Sequence, residues 1–152
     1  MRDYAGDKMK VVIPAAGAGK RLYPHTHTKP KPMVSVAGKP IIGHILERMI
    51  DLSPEEIIIV VGYMKEKIID YVNSHYSPLF KKISFVIQEE QLGLGHAIYV
   101  TKDAINYEET MIALGDMIFK AGYAEFRDQY LKALPCDGAI GVKRIDDPRN
   151  YG

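Results

Sequence analysis

At 152 residues and 47 % hydrophobic content the chain can bury a core as one domain, and its single cysteine, Cys136, excludes an internal disulfide and any cysteine-based metal site. No apolar run reaches transmembrane length and no secretory signal is visible, which argues against a membrane partner and, with the lone thiol, suits a reducing cytoplasm. The net charge of +1 hides a polarised chain: residues 8–46 carry seven Lys/Arg and no acid, whereas 47–152 carry 12 cations against 17 acids. Basic character confined to one segment points to a small anionic ligand and away from a nucleic-acid surface.

Residues 1–8 (MRDYAGDK) are polar and precede a second methionine, Met9; they read as a disordered leader or an alternative start. Val11-Val12-Ile13 reads as a buried strand, and an irregular segment from Ala16 to Met33 follows it. Loops of that length are uncommon inside compact domains and are usually functional. This one holds Gly17, Gly19, Lys20, Arg21, Lys29 and Lys31, with Pro24, Pro30 and Pro32 stiffening its second half. Glycines let backbone N–H groups approach phosphate oxygens, and fixed cations offset charge that moves during reaction, so the loop suits a polyphosphate.

Gly38-Lys39-Pro40 then introduces a helix in which Ile41, Ile42, Ile45, Leu46, Met49 and Ile50 share one face. The β-branched run Ile57 to Val61 is a second strand, and Gly62-Tyr63 turns into a helix from about Lys65 to Asn73. Ile83 to Ile87 is a third strand, followed by a helix from about His96 to Asp103. Thr110 to Leu114 is a fourth strand ending at Gly115-Asp116, a helix spans about Tyr123 to Leu134, and Ala139 to Val142 is a fifth strand. Apolar rather than alternating strands, interleaved with helices, predict a three-layer α/β/α, Rossmann-like, mostly parallel sheet. Ligands of such sheets sit beyond the carboxyl ends of the strands, an edge reached here by Ala15 to Lys31, Gly62-Tyr63, Gln88 to Gly95 and Gly115-Asp116.

Two familiar glycine motifs do not fit the loop. A Walker A loop would need a glycine where Pro14 stands and a hydroxyl where Arg21 stands. A dinucleotide fingerprint would open directly into a helix, which the prolines at 24, 30 and 32 forbid. Nor do the five histidines, His25-x-His27 included, show spacing that would assign them to zinc.

Ala16-Gly17-Ala18-Gly19-Lys20-Arg21-Leu22, then Pro24, Thr26, Pro30-Lys31-Pro32-Met33 and Gly38-Lys39-Pro40, resemble the signature of the sugar-1-phosphate nucleotidylyltransferases, G-G-x-G-T-R-L…P-x-T…P-K-P-[ML]…G-K-P. Ala16 stands for a glycine, as in the A-A-G version of many uridylyltransferases, and Lys20 for a threonine; neither change removes a needed charge. Gln88 to Ala97 (QEEQLGLGHA) is similar to a second family segment, in which a Gln amide and a Gly backbone, here Gln88 and Gly93, read a pyrimidine edge. An amide can both donate and accept, as the uracil or thymine edge requires. The tail Asp147-Pro148-Arg149-Asn150-Tyr151-Gly152 resembles the family's D-P-x-x-Y-G, where the tyrosine and glycine border the sugar.

The resemblance implies the nucleotidyltransferase type of fold and an enzyme condensing UTP or dTTP with a sugar 1-phosphate, glucose 1-phosphate or N-acetylglucosamine 1-phosphate, with release of pyrophosphate. It implies Ala16, Gly17, Gly19 and Arg21 against the nucleotide, Arg21 and Lys31 as the catalytic cations, and Mg²⁺ held by Asp116. The residue types agree: a planar guanidinium suits the departing β/γ-phosphates, a compact ammonium the α-phosphate, and Mg²⁺ takes one or two protein carboxylates beside phosphate oxygens. The family's second half, with its sugar-phosphate anchors and second metal-binding aspartate, has no counterpart in residues 9–152, which read as the nucleotide-binding half, truncated at the C-terminus. That half alone is expected to be inactive and prone to homo-oligomerise through an exposed edge. Two alternatives stay open: a non-catalytic nucleotide-binding fragment or truncated paralogue, and a mannose-1-phosphate guanylyltransferase.

Overall fold

A computed structural model of the chain describes residues 9–19, 23–24, 26–120, 122–147 and 149. The expected leader at 1–8, Arg21, Tyr151 and Gly152 lie outside the described residues. In chain order the elements are β1 (Lys10–Pro14), β2 (Ser35–Val36), β3 (Lys39–Pro40), α1 (Ile41–Glu47), β4 (Glu56–Val61), α2 (Lys65–His75), β5 (Ile83–Ile87), α3 (Leu94–Tyr99), α4 (Lys102–Ile105), β6 (Thr110–Ile112) and α5 (Tyr123–Lys132).

β1, β4, β5 and β6 form one parallel sheet in the order β5-β4-β1-β6. Alternate residues of the central strands serve two cores. Val11, Ile13, Ile57, Ile59 and Val61 meet Ile42, Ile45, Leu46, Ile68 and Val72 from α1 and α2 on one face. Val12, Ile58 and Val60 meet Ala97, Val100, Ala104 and Ile105 from the α3–α4 region on the other. Both faces are therefore covered, which is why these strands are apolar throughout, and each fully buried Val or Ile contributes about 1.5–3 kcal/mol. The three-layer α/β/α expectation is met. Among the described residues no helix is long and apolar enough to cross a membrane.

The strand order puts a switch point between β1 and β6: the chain leaves β1 towards β4 on one side, and β6 pairs on the other. A crevice opens beyond the carboxyl ends of such strands. Backbone pairing carries the chain past the formal end of β6, since Ala113 N–H donates to Val12 O at 2.9 Å and Gly115 N–H to Pro14 O at 3.2 Å. Asp116 is thereby delivered to the rim of that crevice.

Three local expectations differ. Residues 35–40 form the hairpin β2–β3 before α1 begins, with Ala37 (φ 51°) and Gly38 (φ 81°) in the left-handed region that a tight hairpin turn requires. The helix expected from about His96 to Asp103 is split into α3 and α4: buried Thr101 turns its Oγ1 onto Ile98 O at 2.6 Å, a side-chain bond that competes with helix continuation. Residues 139–142 form no strand, and Ile140 and Val142 are 86 % and 88 % exposed. Ladder partners rather than apolarity make a strand, and the described sheet ends at β6.

Candidate functional site

The first wall of the crevice is the chain leaving β1. Ala15 N–H donates to Val60 O at 2.8 Å, which prolongs the β1–β4 ladder by one residue. The Ala16 carbonyl then accepts from Tyr63 N–H (3.4 Å) and from the Gln91 amide Nε2 (3.3 Å). Two donors thus engage that carbonyl at a point where a free oxygen would repel an anion. Gly62 lets the strands approach here: a Cβ on it would lie 3.1 Å from Ala16 O and 3.2 Å from Gln88 O.

Gly19 has φ +64°, and a Cβ there would lie 2.9 Å from Lys31 Cβ and 3.0 Å from Thr26 Cγ2. Thr26 is fully buried and donates its Oγ1 proton to Gly19 O at 2.9 Å. Gly19 and Thr26 thus hold the near end of the loop against its far end. Lys31 is presented by a single 3₁₀ turn, Lys31–Met33, that begins after Pro30 and closes with Met33 N–H on Pro30 O at 2.8 Å. Further staples run from α2 and its preceding turn: Lys67 Nζ donates to Thr28 O, and Tyr63 OH to His27 O at 3.5 Å.

Lys31 Nζ forms an ion pair with Asp116 Oδ2 across the crevice, the two side chains being 32 % and 39 % exposed. The opposite wall follows β5. Gln88 is buried, its N–H bonded to Val61 O at 2.8 Å, and its Nε2 donates to Gly93 O at 3.3 Å and to His96 Nδ1 at 3.0 Å. Gly93 itself has φ +98°, a conformation glycine adopts without strain.

Ala16, Gly17, Lys31, Gln88, Gly93 and Asp116 all line one cleft of about 370 Å³. A shallower space of about 270 Å³ adjoins it and shares Gln88 and Gln91 with it. The six residues come from three separate connections, so the fold brings together what the sequence scatters. Gly19 packs against Lys31, which lines the cleft, and Arg21, Tyr151 and Gly152 fall outside the described residues. Lys10, one of the seven cations of the acid-free run, is remote from this group: it faces the amino-terminal edge of the sheet, bonded to Ala104 O at 2.6 Å and paired with Glu108 at 3.2 Å. Lys39 is paired with Glu47 at 2.5 Å, which holds the Glu47 carboxyl below its ordinary range. The sequence reading missed Gln91, whose only signal was a second glutamine three residues after Gln88.

Among the described residues no three His, Cys, Asp or Glu side chains gather into a metal site. Asp116 is the carboxylate that lines the cleft. One exposed carboxylate beside a space for phosphates is compatible with a cation that takes most of its ligands from substrate and water.

The profile of the nucleotidyl transferase family matches residues 10–152. The bifunctional protein GlmU of Methanococcus vannielii is 43 % identical over 144 residues, covering 95 % of this chain and 31 % of that relative. The UTP–glucose-1-phosphate uridylyltransferase AglF of Haloferax volcanii is 44 % identical over 146 residues, covering 95 % of this chain and 58 % of the relative. Among solved structures, UDP-glucose pyrophosphorylase complexed with UDP-glucose superposes with a TM-score of 0.71 at 28 % identity, over 82 % of this chain and 54 % of that one. The chain thus spans between 31 % and 58 % of the length of these proteins.

Proposed function

The chain belongs to the nucleotidyl transferase family, and we propose that it forms the nucleotide-binding half of an enzyme that condenses UTP or dTTP with a sugar 1-phosphate, releasing pyrophosphate. The observation that carries this reading is the convergence of Gly17, Lys31, Gln88, Gly93 and Asp116 on one cleft at the switch point between β1 and β6. The likeness to a uridylyltransferase and to UDP-glucose pyrophosphorylase supports a uridine nucleotide and glucose 1-phosphate; dTTP is the alternative donor and N-acetylglucosamine 1-phosphate the alternative acceptor.

In this reading the backbone at Ala16, Gly17 and Gly19 receives the triphosphate, with the Ala16 carbonyl already engaged by the Tyr63 N–H and the Gln91 amide. An oxygen of the sugar phosphate attacks the α-phosphorus in line; the new P–O bond forms as the bond to the bridging oxygen of the β-phosphate breaks, and that oxygen leaves with pyrophosphate. Lys31, which lines the cleft, is assigned to the charge on the α-phosphate, and Arg21 to the departing β/γ-phosphates. Asp116 would hold Mg²⁺, which when bound neutralises phosphate charge. Before nucleotide arrives, the Lys31–Asp116 pair keeps both charges compensated in a half-exposed cleft. Gln88 and Gly93 read the base edge, and Tyr151 and Gly152 border the sugar. The lone cysteine supports a reducing cytoplasm, and Ile112, Met117 and Ile118, exposed around the β6 edge, support self-association.

A pyrophosphate-release assay with the four ribonucleoside triphosphates, dTTP and several sugar phosphates tests the proposal. It is run on the 152-residue chain and on the longest natural product that contains it. Turnover of UTP or dTTP by the longer protein, with binding but no turnover by the 152-residue chain, is expected. GTP as the preferred donor would replace uridylyl transfer by guanylyl transfer, and nucleotide binding with no turnover in either would leave a binding module.

A further inference from the structure

Resting on that reading of the cleft, we propose that His96 is a positioning residue for base selection: its Nδ1 accepts the second N–H of the Gln88 amide and so leaves Oε1 as the group that meets the base. The valence of the partners around Gln88 fixes the orientation of its amide. A carboxamide carries two N–H donors on nitrogen and lone pairs only on oxygen. Gly93 O can only accept, so the amide atom 3.3 Å from it is the nitrogen, and an amide rotated by half a turn would set oxygen against oxygen. The same nitrogen lies 3.0 Å from His96 Nδ1, which makes Nδ1 the acceptor and puts the imidazole proton on Nε2.

Both N–H groups of Gln88 are therefore engaged within the protein, and among the described residues no hydrogen bond engages Oε1. The side chain lines the cleft and is held on a buried residue whose backbone belongs to the β4–β5 ladder. An acceptor fixed in this way complements the ring N–H of uracil or thymine. Cytosine has an unprotonated ring nitrogen at the same position, which meets that oxygen lone pair to lone pair. Without the imidazole acceptor, only the Gly93 carbonyl opposes rotation of the amide, and the rotated amide would offer N–H to cytosine. His96 stands in α3, three residues after Gly93, so one short segment carries both locks.

The test measures affinities of UTP and CTP, with Mg²⁺, for the wild-type chain, His96→Phe and His96→Asn by calorimetry. Phe keeps the ring and removes the acceptor; Asn restores an acceptor oxygen close to the Nδ1 position. The wild type should prefer UTP, His96→Phe should narrow the UTP/CTP ratio by about fivefold, the worth of one neutral hydrogen bond, and His96→Asn should restore most of it. A His96→Phe protein with the wild-type ratio would overturn the inference and leave the proposed function standing. A wild type that binds UTP and CTP equally, or neither, would overturn both. Nitrogen-15 spectra of the wild-type imidazole decide the matter even where His96→Phe does not fold: the neutral ring should carry its proton on Nε2, and a proton on Nδ1 would contradict the lock outright.

Discussion

Gly115→Ala perturbs the delivery of Asp116 without touching any group assigned to the chemistry. A Cβ at this position would lie 2.5 Å from Pro14 O, 3.2 Å from Pro14 C and 3.3 Å from Ala15 Cα, all backbone atoms of the strand exit that shapes the cleft. Contacts to a Cβ below 3.0 Å are essentially never tolerated, so the β6 exit must move outward by at least about half an ångström, and backbone on both sides is the part least able to yield. The hydrogen bond from Gly115 N–H to Pro14 O, already 3.2 Å, lengthens or breaks with that movement. Overpacking of this kind costs about 1–3 kcal/mol, which for a domain of this size lowers Tm by roughly 3 °C per kcal/mol. Displacement of Asp116 relative to Lys31 should weaken Mg²⁺-dependent nucleotide binding more than binding without the ion. In an active full-length protein it should lower turnover by up to about 10²-fold, the penalty for misplacing a reacting group by about 1 Å. Thermal unfolding by circular dichroism, with calorimetry with and without Mg²⁺, reads both effects. A Gly115→Ala protein with unchanged Tm and unchanged Mg²⁺-dependent affinity would refute the claim that the β1–β6 contact sets the position of Asp116.

In an active protein that contains this chain, Arg21→Ala should lower kcat by about 10²-fold or more with secondary structure intact, the loss typical of one preorganised charge-stabilising group; unchanged turnover would remove Arg21 from the mechanism. At the opposite edge of the sheet, burial pushes the Glu56 carboxyl up, but bonds from Ser84 Oγ (2.6 Å) and Lys82 (2.9 Å) and the charge of Lys10 outweigh it and hold the group below its ordinary range. A depressed carboxylate contributes stability that is present above its unfolded value of about 4.3 and lost as pH falls through the folded one. Urea unfolding of Glu56→Gln between pH 7 and pH 3 should therefore show lower stability than wild type at pH 7 and a shallower acid decline; parallel curves would mean that the pairing is not linked to folding.

Much of the fold is legible because its strands are buried on both faces. Ile57 to Val61 and Val11 to Ile13 are apolar at every position, and only a doubly covered parallel strand asks for that. Asp116 could be assigned to the crevice for the same reason, as the first polar residue after such a strand and a glycine. What stayed hidden depends on contacts distant in sequence. Nothing local to residues 139–142 says whether a ladder partner lies beside them, and nothing local to Thr101 says that its hydroxyl will be buried against Ile98 O. The acid-free run from Lys8 to Leu46 suggested one cationic wall, yet a residue's side of the sheet is set by where it lies along the strand. Lys10, at the start of β1, belongs to the edge opposite the cleft. Gln91 and His96 were visible as letters, but the partner of Gln91, Ala16 O, exists only once β1 and β5 are placed on either side of β4, and that of His96, the Gln88 amide, only once the turn at Gly93 folds α3 back onto the end of β5.

The central claim is that the crevice between β1 and β6 is the nucleotide site, and a titration of the isotope-labelled 152-residue chain with UTP and Mg²⁺ tests it most directly. Amide resonances of Ala15, Ala16, Gly17, Lys31, Gln88, Gly93, Gly115 and Asp116 should shift together with one dissociation constant. Those of Lys10, Glu56 and Glu108 at the other edge of the sheet should stay in place. Shifts confined to that second group, or no shift in either at millimolar UTP, would contradict the claim.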